Sequence, residues 1–373
     1  MPRSVPGEAR LYYGESGIYR NMKGLPEIRR HPGNPIVRPG IFPWRRAATF
    51  NPGVIYDQGR FLMLERAAGS FAPFNCSFGA LESVDGVAFR HVRTEPVFTP
   101  GMAGSEYGSV QDPRLVKIDG VYYMTFAFRP YAWSCHPTGV GVPRSEVPSY
   151  PGFDPKNTPN QTRSGLAVSK NLTDWEMHSW ITPGTIDDRD VILFPEKVGG
   201  RYAVLRRPVG FVGTDTGHGS AHPGIMISFS DDLGAWSPPE MVAAPEYDWE
   251  DNRIGGSAPP IRTANGWLVL YHGVETLDPA VNRVCYRMGA MLLDLDDPRR
   301  VTARCPHFIM EPGEYYEKHG AFIPNVIFPT AAPVVDGIVH IYYGVCDTAI
   351  ALATVPLVEL VDYVASFKTG SML

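Results

Sequence analysis

Apolar and polar residues alternate in short runs along this chain, and most runs stop at a turn bearing glycine or proline. A period of two predicts strands rather than helices. One unit recurs: a short strand, a tight turn ending in glycine, then a strongly apolar strand. It is seen as PGVIYDQGRFLMLERA (52–67), DPRLVKIDGVYYMTFAF (112–128), FPEKVGGRYAVLRRP (194–208), APPIRTANGWLVLYHGV (258–274) and AAPVVDGIVHIYYGV (331–345). The turn glycines are Gly59, Gly120, Gly200, Gly266 and Gly337, as suits two-residue hairpins that require positive φ. Between these hairpins lie second strand pairs, clearest in LAVSKNLTDWE (166–176) and IMISFSDDLGAWS (225–237) and weaker in 79–92 and 289–298. Four strands per repeat, with five repeats, predict an all-β, five-bladed β-propeller. The fixed repeat of hairpin chemistry argues against a sandwich. Residues 1–45 are expected to be an irregular, proline-rich lead-in that closes or caps the ring. Residues 46–373 are expected to form one propeller domain. The loop 130–162, rich in proline, glycine and serine, is expected to rim the channel mouth.

Composition narrows the function classes. Hydrophobic residues make up 44% and charged residues 20%, with a formal net charge of -5, which is ordinary for a globular protein. No basic stripe suggests nucleic acid, and no apolar run approaches the roughly 18 to 20 residues of a membrane span. The opening MPRSVPGEARLYYG lacks the apolar run of a secretory signal. The five cysteines, Cys76, Cys135, Cys285, Cys305 and Cys346, are scattered and form no CxxC pair, so reduced thiols in a cytoplasmic protein are expected rather than a structural metal.

In a propeller the inner strands line a central channel, and polar residues at repeat ends converge there. Asn51, Asp112 and Lys197 stand at or near repeat starts. Arg66, Arg207 and His272 lie at the far ends of apolar strands, and Asp347 follows the last repeat. Singly, each reads as a surface or turn group, and the cations could simply pair with Glu196, Asp187 and Asp190. Together they read as a site. Inverting hydrolysis needs two carboxylates roughly 6.5 to 9.5 Å apart. Here two aspartates stand among cations and an amide. Arginine, lysine and histidine together suit an oxyanion such as phosphate. Phosphate is already ionised at neutral pH and needs no catalytic base, so one acid plus a cation cluster suits a glycoside phosphorylase.

The motifs DPRLVKIDGVYYMTF, FPEKVGGRYAVLRRP, GWLVLYHGV, YRMGAMLLDLDDP and YYGVCDTAIALAT together resemble glycoside hydrolase family 130, which contains β-mannoside phosphorylases and some β-mannosidases. The resemblance implies a five-bladed propeller and an inverting phosphorylase that gives α-mannose 1-phosphate and a shortened acceptor. It implies Asp112 as proton donor, acting through the mannosyl 3-hydroxyl. It implies Asn51, Arg66, Tyr286 and Asp347 around the mannosyl ring, with Tyr107 as a further sugar contact. It implies Arg163, Lys197, Arg207 and His272 around phosphate. No metal or organic cofactor is implied, inorganic phosphate being the co-substrate, and family members often form homo-oligomers. Gln111 stands where the family often has glutamate, and Arg206 where many members have histidine.

Two rivals follow. An inverting β-mannosidase on the same fold would need a base, with Glu250, Asp251 or Asp347 as candidates. A non-catalytic glycan-binding propeller would tolerate replacement of Asp112. His218 and His222 form at most a weak metal pair, and the acidic stretch EYDWEDN (246–252) is expected to be a solvated loop.

Overall fold

The structure is a computed structural model that describes residues 24–135, 145, 146, 149–154, 156–184, 186–209, 223–281 and 283–369. Five antiparallel sheets, each with a path of four strands, form a five-bladed propeller. Blade 1 runs outward through Ala48–Asp57, Arg60–Ala68, Cys76–Ser83 and Arg90–His91. Blade 2 runs through Ser109–Ile118, Val121–Arg129, Arg163–Ser169 and Trp175–Trp180. Blade 3 runs through Asp188–Leu193, Tyr202–Pro208, Ile225–Ser230 and Glu240–Ala243. Blade 4 runs through Arg253–Gly256, Gly266–Asp278, Arg283–Leu293 and Val301–Arg304, and blade 5 through Ile327–Ala331, Ile338–Val345 and Ala349–Pro356. The outermost strand of blade 5 comes from the lead-in: Arg29 and Arg30 pair with Thr354 and Ala353. The ring is therefore closed by joining chain segments from opposite ends of the sequence.

Local chemistry repeats with the blades. In four of the five hairpins both turn residues have positive φ: Gln58–Gly59, Asp119–Gly120, Gly199–Gly200 and Asp336–Gly337. That is the backbone twist which matches two right-twisted strands. Between the third and fourth strands of blades 1, 2 and 3, a serine hydroxyl accepts the amide three residues on. The pairs are Ser83 with Gly86 at 3.0 Å, Ser169 with Leu172 at 2.9 Å and Ser230 with Leu233 at 2.9 Å. These side chains satisfy turn amides that no strand can reach.

The cores lie between sheets. Leu64, Phe78, Phe98, Val110, Met124 and Phe126 fill the space between blades 1 and 2. The helix Leu357–Ala365 covers the seam between blades 4 and 5 with Leu360, Val361 and Val364. Among the described residues, no helix is long and apolar enough to cross a membrane.

The repeat boundaries differ from those read in the sequence. In blades 3, 4 and 5 the inner strand begins several residues earlier, at Asp188, Arg253 and Ile327. The first carries three charges and a register break, the second reads Arg-Ile-Gly-Gly, and the third has a register break at Pro329/Ala331, so none shows clean alternation. Parts of the 130–162 loop, and both His218 and His222, lie outside the described residues.

Candidate active site

Where the inner strands begin, their pairing slips. Register breaks fall at Phe50/Gly53 in blade 1, Gln111/Arg114 in blade 2 and Arg189/Ile192 in blade 3. Each break holds one residue in the left-handed region: Asn51 at φ 43°, Asp112 at 53° and Asp190 at 53°. Asparagine and aspartate tolerate that conformation better than other residues with a Cβ. A bulge re-aims a side chain, and these three all line one cavity of about 500 Å³.

The cavity has an acidic corner. Asp112 Oδ1 accepts hydrogen bonds from Asn51 Nδ2 and Arg66 Nη1, both at 2.8 Å. The Arg66 guanidinium lies over the Phe50 ring at 4.4 Å, so its direction is fixed by packing as well as by charge. Asp347, at φ 49°, lines the same corner. Burial, and to a lesser degree the charge of Asp112, push its carboxyl up to about 7 against the pull of Arg66. Phe74, Trp133, Phe322 and Ile323 supply an apolar wall.

The rest of the lining is rich in arginine. Arg207 donates through Nε to Asp190 at 2.6 Å. Burial alone would raise the Asp190 carboxyl, but Arg207, His272 and Arg114 together hold it far below the usual range. His272 lies between Ser257, 3.3 Å from Nδ1, and Asp190, 3.5 Å from Nε2. Desolvation drives its imidazole down to about 3, with Asp190 opposing, so the ring is neutral at neutral pH. Arg129 lies over Trp133 at 4.0 Å and donates to Thr162. Burial and the neighbouring Arg189 lower it to about 10, which leaves it charged. Arg189 pairs with Asp187 at 3.0 Å. Arg253 donates to Asn252 and the Tyr286 hydroxyl and has no carboxylate partner among the described residues. Five arginines (66, 129, 189, 207 and 253) thus line the cavity with three aspartates (112, 190 and 347).

The profile of a family described as β-1,4-mannooligosaccharide phosphorylase matches residues 27–366. The chain belongs to glycoside hydrolase family 130. It is 34% identical over 341 residues to a 1,2-β-oligomannan phosphorylase of Thermoanaerobacter sp. (strain X514), covering 90% of this chain and 99% of that one. It is 30% identical over 324 residues to a β-1,2-mannobiose phosphorylase of the same organism, covering 84% and 91%. The solved complex of a β-1,2-mannobiose phosphorylase from Listeria innocua with β-1,2-mannobiose shares the fold. Its TM-score is 0.71 at 24% identity, over 91% of this chain and 99% of that one.

Of the positions singled out by the family 130 resemblance, Asn51, Arg66, Asp112, Arg207, His272, Tyr286 and Asp347 line the cavity. Three do not. Lys197 is exposed in the blade 3 hairpin loop, its ammonium over the Tyr202 ring at 4.5 Å, because the inner strand is Asp188–Leu193 and not the segment that follows it. Arg163 stacks on Trp180 at 4.0 Å and donates to the Thr182 carbonyl, in a separate groove between blades 2 and 3. Tyr107 is 41% exposed and packs on Tyr131 and Tyr150 rather than in the cavity. His272 is inside, but as a neutral ring rather than a cation.

The structure adds Arg129, Arg189, Asp190 and Arg253, which sequence reasoning missed as site residues. Asp190 was foreseen only as an ion-pair partner, and it is one, for Arg207. Glu196 instead pairs with Arg262. Arg206 turns away from the cavity to a buried pair with Asp188 at 2.6 Å. The stretch 246–252 is not a simple solvated loop: Trp249 and Glu250 are buried, and Glu250 pairs with Arg304 at 2.5 Å.

Proposed function

We propose that this chain is an inverting β-mannoside phosphorylase, releasing α-mannose 1-phosphate and a shortened acceptor. The observation that carries the proposal is the arginine excess in the cavity, and above all Arg253, a cation with no carboxylate partner among the described residues. Arginine forks match phosphate oxygens, and hydrogen bonds to charged groups are the strong ones. The names of the relatives in family 130 point the same way. They span 1,2 and 1,4 linkages, so they do not choose the linkage.

In this scheme the mannosyl ring occupies the corner of Asn51, Arg66, Asp112 and Asp347. Phosphate sits among Arg129, Arg189, Arg207 and Arg253. A phosphate oxygen attacks C1 from the face opposite the glycosidic oxygen, and the C1–O bond breaks with inversion. Asp112 gives its proton to the 3-hydroxyl, which passes its own to the departing oxygen. Asp112 Oδ1 is held by Asn51 and Arg66, while Oδ2 takes no hydrogen bond among the described residues. The dianion needs no base and the scheme needs no metal or organic cofactor.

A hydrolase would need a base to activate water. Glu250 is bound to Arg304 and the backbone amide of Glu246. Asp251 accepts the amide of Thr276 at 2.8 Å. Neither lines the cavity. Of the three candidates that leaves Asp347, beside the acid rather than among the arginines, while Asp190 is tied up in its pair with Arg207. Cys76, Cys285, Cys305 and Cys346 are free and buried, which supports a cytoplasmic setting. The deciding experiment is turnover of β-mannosides with and without inorganic phosphate, scored for mannose 1-phosphate and free mannose. Phosphate-dependent mannose 1-phosphate is expected. Free mannose at equal rates without phosphate would mean a hydrolase.

A further inference from the structure

Next to the blade 2 residues that line the cavity lies an aromatic cluster that the chemistry above does not use. Tyr107 and Tyr131 have nearly parallel rings, 10° apart, with centroids 6.3 Å from each other. Tyr107 is 41% exposed and Tyr131 half-buried, so the pair keeps surface free toward solvent. Tyr150 tilts against both, at 5.3 and 5.6 Å. Phe153 packs behind Tyr131 at 4.7 Å. Among the described residues, the hydroxyls of Tyr107 and Tyr131 have no hydrogen-bond partner, whereas that of Tyr150 donates to the Ala132 carbonyl at 2.8 Å.

This cluster is built onto the cavity wall. Ser109, Arg129 and Trp133 line the cavity; Tyr107 stands two residues before Ser109, and Tyr131 lies midway between Arg129 and Trp133. The Ala132 amide donates to the Tyr107 carbonyl at 2.8 Å. Gly108 allows the close approach: a Cβ there would meet the Arg129 carbonyl oxygen at 2.7 Å. Asn160 clamps Tyr131 from both sides, accepting from its amide at 2.9 Å and donating to its carbonyl at 3.1 Å.

We propose that Tyr107 and Tyr131, backed by Tyr150, form a rigid ledge that binds the acceptor end of β-mannosides longer than a disaccharide. The proposal rests on the phosphorylase reading. A cavity of about 500 Å³ takes the mannosyl ring, phosphate and the adjoining acceptor sugar, so further sugars must pass the mouth. Flat tyrosine faces pack against the apolar faces of sugar rings, and tyrosine hydroxyls with no partner among the described residues can bond sugar hydroxyls. Because the Tyr131 backbone is already clamped and the rings pack on one another, little conformational freedom is lost on binding.

The test compares kcat/KM for a β-mannobioside and a β-mannotetraoside of the linkage turned over, with saturating phosphate, in wild type, Tyr107→Ala and Tyr107→Phe. The wild-type ratio of tetraoside to bioside is expected to be at least about fivefold. Tyr107→Ala is expected to bring it close to one, chiefly through KM for the tetraoside, and Tyr107→Phe to keep most of it. A wild type indifferent to chain length would overturn the ledge. So would a Tyr107→Ala variant that loses activity on both substrates in equal proportion, as a purely structural tyrosine would. Either result leaves the phosphorylase reading intact so long as the bioside yields mannose 1-phosphate. That reading fails only if neither substrate does, and the ledge falls with it.

Discussion

Asp190→Asn removes the standing counter-charge of the arginine cluster while keeping the side chain's shape. Asp190 and Arg207 are 6% and 7% exposed and meet at 2.6 Å. Arg114 and His272 also feel this carboxylate, and Arg114 Nη2 has no hydrogen-bond partner among the described residues. Breaking a buried pair by removing one partner costs about 3–5 kcal/mol, and asparagine retains an acceptor oxygen, so the lower end applies. An unfolding entropy of about 2.1 cal/mol/K per residue gives roughly 0.8 kcal/mol/K for 373 residues. A loss of about 3 kcal/mol therefore lowers Tm by about 4 °C in phosphate-free buffer. Phosphate would supply the missing negative charge, and a ligand stabilises in proportion to RT ln(1 + [L]/Kd). The variant should gain more from phosphate than wild type does, and the gap in Tm should narrow by at least half at saturation. Calorimetry across a phosphate titration reads this directly. A gap that stays constant throughout would refute the view that Asp190 and bound phosphate balance the same arginines.

Asp112→Asn should lower turnover by about 10²–10⁴-fold, the range for losing a general acid, with the fold intact and Tm lowered less than in Asp190→Asn, because Asp112 is the more exposed carboxylate. Arg253→Ala should raise KM for phosphate about 10- to 100-fold, from the loss of charge-assisted hydrogen bonds of about 1.5–3 kcal/mol. Lys197→Ala should leave that KM within about twofold, because Lys197 is exposed on the blade 3 hairpin loop. Asp347 provides a pH test. A carboxyl whose folded value is raised, here from 3.8 to about 7, costs the fold stability as pH rises through that window. Urea unfolding of wild type should therefore weaken from pH 4 to 7 relative to Asp347→Asn, and parallel curves would rule this out.

The architecture was legible because it is local and repeated. Alternation with hairpin glycines at Gly59, Gly120, Gly200 and Gly337 depends only on neighbouring residues, and each turn formed where its glycine stood. Asn51, Asp112, Arg66 and His272 were found because they flank strongly patterned strands. Asp190, Arg189 and Arg253 were not, because the inner strand of blade 3 is short, charged and broken in register and that of blade 4 has only four residues, two of them glycine, so neither reads as a strand. Lys197 and Arg163 show the converse error: a cation near a repeat start faces the channel only if the strand begins where the motif does. Sequence by itself determined the number of blades and the turn chemistry, since each follows from spacing along the chain. Which arginines share one cavity, that His272 is neutral, and that Asp347 is held near 7 were decided only by the tertiary structure. Burial and charge pairing there depend on blades distant in sequence closing around one axis.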